Sequence, residues 1–472
     1  MSVRFLEGLR CLFCILQVYL VWEVRSSPLP GSSVSIPISG FSLGSAQEDV
    51  HAAVLHQQHM NRGTRRLATM TGQRQPEDHE LFSRLFDRIH SYKHAAPLSL
   101  ISGAEVDVNG TSGVLEERPP NLTPADAVDY AHTIGLNIEA NDVGYIGVVK
   151  IGTPPRSFNL LMDSGSADMW VGSESCRGDD GGDCGKHNFL GPSASSTFKS
   201  LKDDDGWSIV YGSGAVSGHL VTDIVSIGDL TLKNFKFGVA SNESADFIPN
   251  DIPFDGLLGL AKSKISRQHC QTLVEALHQK KLIPEAIVSY KIPRLLDGHN
   301  DGEMMLGAMN PVKYQVETVV TLKNTNTFGF WEIPLDDIRV GNHSMNWSGR
   351  TAVLDTGTTL LLAPEEDVIA LHKLIPGAKQ DSSGSWTLPC TFNTSLAFQI
   401  GGKLFTIDSR DITFLPADPA NPEGDCISGI GIGYVGPFNS ATQWLVGDVF
   451  LKNVYFSTNE GRDEISIAKL RS

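Results

Sequence analysis

Short apolar runs separated by turns dominate the chain after residue 141. Gly144–Ile151 is rich in β-branched residues and precedes a Gly-Thr-Pro-Pro turn, and residues 220–227 and 234–239 repeat this pattern. Helical periodicity is scarce there, with residues 271–280 as one clear case. Many short strands punctuated by Gly, Pro and Asp are typical of an all-β fold. We therefore predict an all-β body.

The first 27 residues have the pattern of a secretory signal peptide. Arg4 and Arg10 precede an apolar run at residues 11–22, and the small residues Ser26 and Ser27 follow it. The run is shorter than the roughly 20 apolar residues that cross a bilayer. A buried N-terminal strand or helix is the alternative. The interpretation as a signal peptide predicts a secreted, extracellular protein without a membrane anchor.

Residues 28–130 differ from the rest of the chain in charge. Residues 51–94 contain six histidines and seven Lys or Arg residues, whereas the chain from residue 131 onward has 27 Lys+Arg against 40 Asp+Glu. Apolar residues recur at helical spacing in residues 80–92, which predicts an amphipathic helix. We interpret residues 28–130 as a partly helical pro-segment. A small helical domain that stays in the mature protein is the alternative.

Composition narrows the possible partners. Of the 472 residues, 41% are hydrophobic and 19% are charged, which is an ordinary globular mixture. The net charge of −16 argues against a nucleic-acid partner, because such proteins present a basic face. It also has the wrong sign for binding to anionic membrane surfaces.

One internal repeat carries the candidate chemistry. Leu-Met-Asp-Ser-Gly-Ser at residues 161–166 recurs 192 residues later as Val-Leu-Asp-Thr-Gly-Thr at 353–358. Each copy is followed about 90 residues later by two apolar residues and a glycine, at 257–259 and 445–447. Such long repeats predict two similar β lobes, which we place at residues 131–310 and 311–472. Each lobe offers one carboxylate, from Asp163 or Asp355.

Paired aspartates of this kind suit general acid–base hydrolysis without a covalent intermediate. Glycine after an Asp-Ser or Asp-Thr pair permits a sharp turn that presents the carboxylate. Two carboxyl groups about 3 Å apart cannot both ionise, so they share a proton. The ionised partner can then take a proton from water while the protonated one polarises a carbonyl group. A single Asp-Ser-Gly-Ser would most often be an ordinary turn, but two copies in apolar frames favour catalysis.

In these motifs the chain resembles the pepsin-like aspartic proteases and looks nearest to their fungal secreted members. The resemblance runs from about Gly144 to the C-terminus. It implies a bilobal β fold with an active-site cleft between the lobes and with Asp163 and Asp355 as the catalytic pair. It also implies that hydroxyl side chains fix the carboxylates and cross-brace the two loops. The supporting residues would be Ser164, Gly165, Ser166, Thr356, Gly357 and Thr358.

The same resemblance implies a flap over the cleft. Tyr211, Gly212 and Ser213 match the tip of the family's flap hairpin, and Tyr211 would hydrogen-bond the indole of Trp170. The backbone of Gly212 and Ser213 would hold the substrate. An ordinary Gly-rich hairpin is the alternative interpretation.

Apolar side chains are expected to line the substrate pocket. Leu257 matches a pocket position of the family, and either Phe247 or Ile248 lies in the stretch that lines the pocket. Phe254, Leu257 and Leu258 could equally belong to the core. No metal or cofactor is expected.

Cysteines and sequons suit a secretory route. Cys176 with Cys184 could close a small ring and Cys390 with Cys426 a larger one, and both pairs match disulfides of the family. Cys270 is expected to be a buried free thiol in a helix-like run. Four glycosylation sequons in the body lie at Asn242, Asn342, Asn346 and Asn393.

These features together predict a secreted aspartic endopeptidase that is made as a zymogen. It would hydrolyse bonds between apolar residues of proteins or peptides at acidic pH, as a monomer, with its pro-segment as an intramolecular inhibitor. Lys93 is the first candidate for the basic residue that covers the aspartate pair, with Arg65 and Arg66 behind it. We expect acid to release the segment as carboxylates protonate, after charged histidines have strengthened its hold.

Two other functions fit parts of the pattern. A glycosidase also uses two carboxyl groups, but it does not need matching Asp-x-Gly turns. A catalytically inactive homologue that acts as a binding or inhibitor protein would be expected to lack an aspartate, the flap tyrosine or a loop glycine, and none is missing. A GxGxxG match at residues 431–436 is followed by Pro437 instead of a helix, so a nucleotide site is not predicted there.

Overall fold

The computed structural model describes residues 51–91, 122–139, 142–179, 181–201, 206–211, 214–250, 252–381, 384–418, 420–433 and 442–471. The predicted signal peptide and the candidate Lys93 therefore lie outside the described residues. Within them, no helix is both long and apolar enough to cross a bilayer.

A ten-stranded sheet forms the first lobe. Its order places the strand that ends at Asp163 beside a short strand at residues 256–259. Along the strand Arg156–Asp163 the side chains alternate in exposure and become fully buried at Met162 and Asp163. The strands are Leu122–Thr123, Asn137–Glu139, Gly144–Ile151, Arg156–Asp163, Gly256–Gly259, Met169–Gly178, Leu230–Glu243, Ala215–Ile227, Lys199–Ser200 and, paired with Ala215–Ile227, Trp207–Val210. The first of these lies inside the stretch that we assigned to the pro-segment.

A six-stranded sheet joins chain segments from both ends of the body. Tyr290 and Phe456 stack across two of its neighbouring strands, with ring centroids 5.2 Å apart. Both side chains are almost completely buried, so they help to hold this sheet together. In order, the strands are Val320–Lys323, Glu464–Lys469, Val454–Asn459, Ile287–Lys291, Glu303–Leu306 and Thr133–Gly135.

Three smaller sheets make up the second lobe. The five-stranded sheet contains the strand that leads into Asp355, and its strands in order are Glu332–Leu335, Arg350–Leu354, Gln443–Val446, Leu361–Ala363 and Ile430–Ile432. The two four-stranded sheets contain His343–Ser344, Asp337–Val340, Leu396–Ile400 and Lys403–Ile407, and Lys379–Gln380, Trp386–Pro389, Asp425–Ser428 and Thr413–Pro416. The predicted all-β, bilobal architecture is confirmed.

Helices in the body are short. They span Leu273–Gln279, Glu365–Lys373, Ser409–Ile412 and Asp448–Leu451, with 3₁₀ turns at Ser263–Ile265, Leu295–Asp297 and Val316–Thr318. The first begins with a capping box, in which Thr272 and Glu275 satisfy each other's backbone N–H groups. The prediction of a helix within residues 271–280 is confirmed.

Two helices precede the body: α1 (Ala52–Met70) and α2 (Asp78–Ser91). The helix predicted at residues 80–92 corresponds to α2. The sequence analysis missed α1, in which 14 of 19 residues are buried. The buried residues of α1 include His56, Gln57, Gln58, His59 and Thr64, so the spacing of apolar residues alone does not mark its buried positions.

Candidate active site

The two repeated loops meet at the centre of the molecule. The strand Arg156–Asp163 pairs in parallel with residues 256–259, and Arg350–Leu354 pairs in parallel with residues 443–446. In each pair, the strand named first leads into a loop that carries an aspartate. The glycines that follow each pair let these loops pack closely, because a Cβ at Gly259 would lie 2.5 Å from the backbone N of Asp168, and one at Gly447 would lie 2.0 Å from the carbonyl oxygen of Thr358.

Hydroxyl side chains cross-brace the two loops. The backbone N–H of Ser164 donates to Oγ1 of Thr356 and the backbone N–H of Thr356 donates to Oγ of Ser164, both at 2.9 Å. Oγ1 of Thr356 donates in turn to the carbonyl oxygen of Met162 at 2.9 Å, and Oγ of Ser164 to that of Leu354 at 3.3 Å. These reciprocal bonds link residues 192 positions apart and fix the separation of the loops.

Each aspartate is held by its own loop. Oγ of Ser166 donates to Oδ2 of Asp163 at 2.6 Å, and the N–H of Gly165 donates to Oδ1 at 2.9 Å. In the second loop, Oγ1 of Thr358 donates to Oδ2 of Asp355, and the N–H of Gly357 donates to Oδ1 at 3.0 Å. Both carboxylates are fully buried.

The loop glycines allow the two carboxylates to approach each other. A Cβ at Gly165 would lie 2.4 Å from Oδ1 of Asp355, and a Cβ at Gly357 would lie 2.5 Å from Oδ1 of Asp163. Each glycine therefore makes room for the aspartate of the opposite lobe. This gives a steric reason for the Asp-x-Gly spacing in both repeats.

Arg66 of α1 lies on both aspartates. Its Nη2 donates to Oδ1 of Asp163 at 2.5 Å and to Oδ1 of Asp355 at 2.8 Å, and its Nε donates to Oδ2 of Asp355 at 2.6 Å. The Arg66 side chain is 12% exposed. A planar guanidinium matches such bidentate contacts better than an ammonium group does.

The ranking of Lys93 ahead of Arg66 is therefore wrong for the position over the aspartates. It rested on the family's usual lysine and on Lys93 being the only lysine in residues 28–130. The structure fills this position from α1, a helix that the sequence pattern did not reveal. Nε and Nη2 of the Arg66 guanidinium together contact both carboxylates.

The electrostatics of the two aspartates differ. Burial raises the pKa of Asp163, but Arg66 and the bonds from Ser166 and Gly165 outweigh it and leave this pKa below its ordinary value. Burial also raises the pKa of Asp355, the charge of Asp163 adds to this, and the result stays above the ordinary value despite Arg66. The two groups thus form an asymmetric pair around one cation.

A tyrosine and a tryptophan meet beside the aspartates. Nε1 of Trp170 donates to Oη of Tyr211 at 2.9 Å. Phe247 packs edge-on against both rings, at centroid distances of 5.6 Å and 6.0 Å. Gly212 and Ser213 at the predicted flap tip lie outside the described residues.

A small cavity remains between α1 and residues of both lobes. It has a volume of about 80 Å³, and Tyr211, Phe247 and Leu257 contribute to its wall. Ile248 is absent from this wall, so the structure favours Phe247 of the two alternatives. Two acidic residues, Glu139 and Asp246, also line the cavity. The sequence analysis missed both, because isolated acidic residues in polar stretches carry no distinctive pattern.

The cysteines and sequons lie away from the aspartates. Disulfides join Cys176 to Cys184 and Cys390 to Cys426. Cys270 forms no disulfide among the described residues; it is half-buried just before the helix Leu273–Gln279, and its thiol donates to the carbonyl oxygen of Gln268. The expectation that Cys270 is buried within a helix is therefore wrong. The four sequon asparagines are exposed: Asn242, Asn342, Asn346 and Asn393.

Comparison with known proteins identifies the family. The family model described as eukaryotic aspartyl protease matches residues 144–470. A probable aspartic-type endopeptidase CTSD of Arthroderma benhamiae is 34% identical over 381 residues, which cover 80% of this chain and 70% of the relative. Rhizopuspepsin of Rhizopus chinensis is 33% identical over 341 residues, 71% of this chain and 81% of the relative. Cathepsin D of Gallus gallus is 32% identical over 333 residues, 70% of this chain and 81% of the relative. The chain belongs to the pepsin-like eukaryotic aspartyl protease family and is an aspartic-type endopeptidase.

Proposed function

We propose that this chain is the precursor of a secreted endopeptidase that hydrolyses bonds between apolar residues with a water held by Asp163 and Asp355. One observation carries the proposal: two buried carboxylates, each fixed by its own loop, converge on a single cation. An inactive homologue would not need this geometry, and the aspartates, the loop glycines and Tyr211 are all present.

The proposed mechanism of hydrolysis begins once Arg66 has left the two aspartates. Without that cation, two close carboxyl groups cannot both stay ionised and would share one proton. The ionised carboxylate takes a proton from water, and the resulting hydroxide oxygen bonds to the peptide carbonyl carbon. The protonated carboxyl gives its proton to the carbonyl oxygen, which yields a neutral tetrahedral diol. Transfer of a proton to nitrogen then breaks the C–N bond and releases an amine and a carboxylic acid.

The segment before the body acts as an intramolecular inhibitor in this proposal. Arg66 occupies the place of the attacking water, and α1 covers the loops that carry the aspartates. We propose that residues 28–130 form the pro-segment and that residues 131–310 and 311–472 form the catalytic lobes of a monomer. Proteins or peptides would be its substrates.

Secretion is supported by the surface of the body. Two disulfides are typical of chains that mature in an oxidising compartment, and all four sequon asparagines are accessible. Together with the signal-like first 27 residues, these features favour an extracellular enzyme. Removal of N-linked glycans from the secreted product should shift its mobility on a gel. A product that stays in the cytosol with reduced cysteines would contradict secretion.

Two histidines of α1 are buried against the second lobe. His56 is 2% exposed, and its Nε2 contacts the carbonyl oxygen of Ser428 at 3.1 Å; Nδ1 of His59 contacts Oγ1 of Thr359 at 3.3 Å. Burial lowers the pKa of His56 to about 4, with Arg88 adding to the effect. Burial, Arg62 and His56 likewise hold the pKa of His59 well below its ordinary value. Charged histidines would therefore weaken the docking of α1, which contradicts the expectation that they strengthen it.

The pH at which the pro-segment is released should depend on these histidines. A released His56 titrates near 6.5, so docking is strongest above pH 6.5 and weakens as the pH falls toward 4. A shift of this size corresponds to about 3 kcal/mol of lost docking at pH 4. We predict that H56Q moves the midpoint of self-processing to lower pH by at least about half a unit. The matched control is H79Q, because His79 is exposed on α2.

The release experiment follows processing directly. The purified precursor is held at stepped pH values, and the new N-terminus is sequenced at each step. We expect cleavage before residue 144 and only in acid. Complete processing at pH 7 without an added protease, or equal midpoints for H56Q and the wild type, would contradict this account of release.

Loss of the bond between Trp170 and Tyr211 should slow turnover without stopping it. Tyr211→Phe and Trp170→Phe each remove one partner of that bond but keep an aromatic ring in the packed cluster. Because the flap positions substrate and excludes water, we expect kcat/KM to fall by about tenfold for either variant. Steady-state kinetics on one peptide checks this. A variant as inactive as an aspartate variant would show that these residues do more than position the flap.

A further inference from the structure

The cavity beside the aspartates combines apolar walls with two acids. Phe247, Ile252, Phe254 and Leu257 contribute apolar surface, and Glu139 and Asp246 contribute carboxyl groups. Arg62 of α1 also lines this cavity, one helical turn before Arg66. A basic side chain of the pro-segment thus lies where the cleft offers opposite charge.

Glu139 is the best-defined acid of the cavity. It ends the strand Asn137–Glu139, is 4% exposed, and has no hydrogen-bond partner for Oε1 among the described residues. A Cβ at Gly144 would lie 2.6 Å from its Oε2, so the absence of a side chain there makes room for this carboxyl group. Burying a polar atom without a partner is costly. The unsatisfied oxygen at the cavity wall therefore indicates a missing donor.

Asp246 provides a second acidic wall. Burial raises its pKa, whereas the charges of Arg62 and Arg65 lower it and Asp179 raises it further. Burial likewise raises the pKa of Glu139 to about 7, and Arg62 opposes this rise. Arg62 is thus the cation common to both acids. His59 and Arg66 are the other basic groups at the cavity.

We propose that, after the pro-segment leaves, this cavity is a substrate subsite that takes an arginine or lysine side chain, with Glu139 and Asp246 as specificity-determining residues. The inference rests on the proposed function of the aspartate pair. Arg62 holds the place of the substrate cation in the precursor. The apolar walls would contact the methylene groups of the basic side chain, while its charged end reaches the carboxyl groups.

The position of this basic residue follows from the spacing of Arg62 and Arg66. Residues four apart on a helix have Cβ atoms about 6 Å apart. In an extended substrate, side chains two residues apart on one face are separated by a similar distance, because a strand rises about 3.3 Å per residue. The basic residue is therefore expected about two positions away from a residue that flanks the cut bond. The residues beside that bond can still be apolar.

Cleavage profiling of the acid-activated enzyme tests the inference. A peptide library with one varied position at a time identifies the position with a basic preference. We expect kcat/KM for an arginine peptide to exceed that for its norleucine counterpart by about tenfold at this position, which is the scale of a charge-assisted hydrogen bond. Assays use the highest pH that sustains turnover, because acid favours the neutral form of Glu139.

Two variants test whether the preference for a basic side chain depends on Glu139 and Asp246 and not on other residues of the cleft. E139Q and D246N keep the side-chain shape and should each lower the arginine-to-norleucine ratio of kcat/KM by at least about fivefold. E423Q is the matched control, because Glu423 is exposed outside the cavity. An active wild-type enzyme without any basic preference, or unchanged ratios in both variants, would overturn this inference and leave the proposed function standing. A wild-type protein that cleaves no library member would overturn both.

Discussion

Asp163→Asn and Asp355→Asn should each reduce peptide hydrolysis by at least about a thousandfold. The substitution removes a proton carrier but keeps nearly the same shape. General acid–base chemistry at one position contributes about a hundredfold to ten-thousandfold, and groups that act as a unit fail together. The bonds from Ser166 and Thr358 still have an oxygen to meet in the amide. Both variants are therefore expected to fold.

The measurement compares initial rates on one peptide after the pro-segment has been removed by an added protease. This step is needed because inactive variants cannot process themselves. E423Q serves as the control for substitution of an acid elsewhere, and thermal unfolding checks that the variants are folded. Activity within tenfold of wild type for either aspartate variant would show that the two carboxylates are not the acid–base pair.

Replacing Arg66 should unlock the precursor at near-neutral pH. Arg66→Met removes three charge-assisted hydrogen bonds to two buried carboxylates. Breaking a buried ion pair typically costs about 3–5 kcal/mol. The population in which α1 has left the cleft should therefore rise by a factor of about a hundred or more. We expect the R66M precursor to cleave a peptide at pH 6.5 at least about 100-fold faster than the wild-type precursor.

Two controls make the Arg66 experiment specific. Arg65→Met changes the neighbouring basic residue, whose charge lowers the pKa of Asp246, and should leave the precursor latent because Arg66 keeps its bonds to both aspartates. The double variant R66M/D355N should be inactive, which excludes a contaminating protease. An R66M precursor as latent as wild type would contradict inhibition by this contact, even if the aspartates are catalytic.

The sequence was sufficient for the fold class and for the close approach of the Asp163 and Asp355 loops, for a physical reason. Duplicated loops at strand ends have to meet one another, and the glycines needed for that close approach recur at fixed spacing. The short β-branched run before a turn likewise predicted the strand Gly144–Ile151 with its observed bounds. In such segments, the residues that form the local sequence pattern are also the residues that make the tertiary contacts.

Helix α1 shows where sequence reasoning failed. His56, His59 and Arg66 are ordinary polar residues in the sequence, and their importance comes from burial between elements far away in the chain. The charge on a histidine depends on whether its surroundings contain water, which no local pattern records. Glu139 and Asp246 were missed for the same reason, because their burial in the cavity wall leaves no local pattern.

The central claim is that Asp163 and Asp355 together hold the water that cleaves the peptide bond, and titration with a pepstatin-type transition-state mimic tests it most directly. The acid-activated wild-type enzyme is mixed with increasing mimic, and residual hydrolysis of a peptide is measured. We predict complete inhibition at one mimic per enzyme, and loss of tight binding in both the D163N and D355N variants. Hydrolysis that continues unchanged at excess mimic would contradict the account.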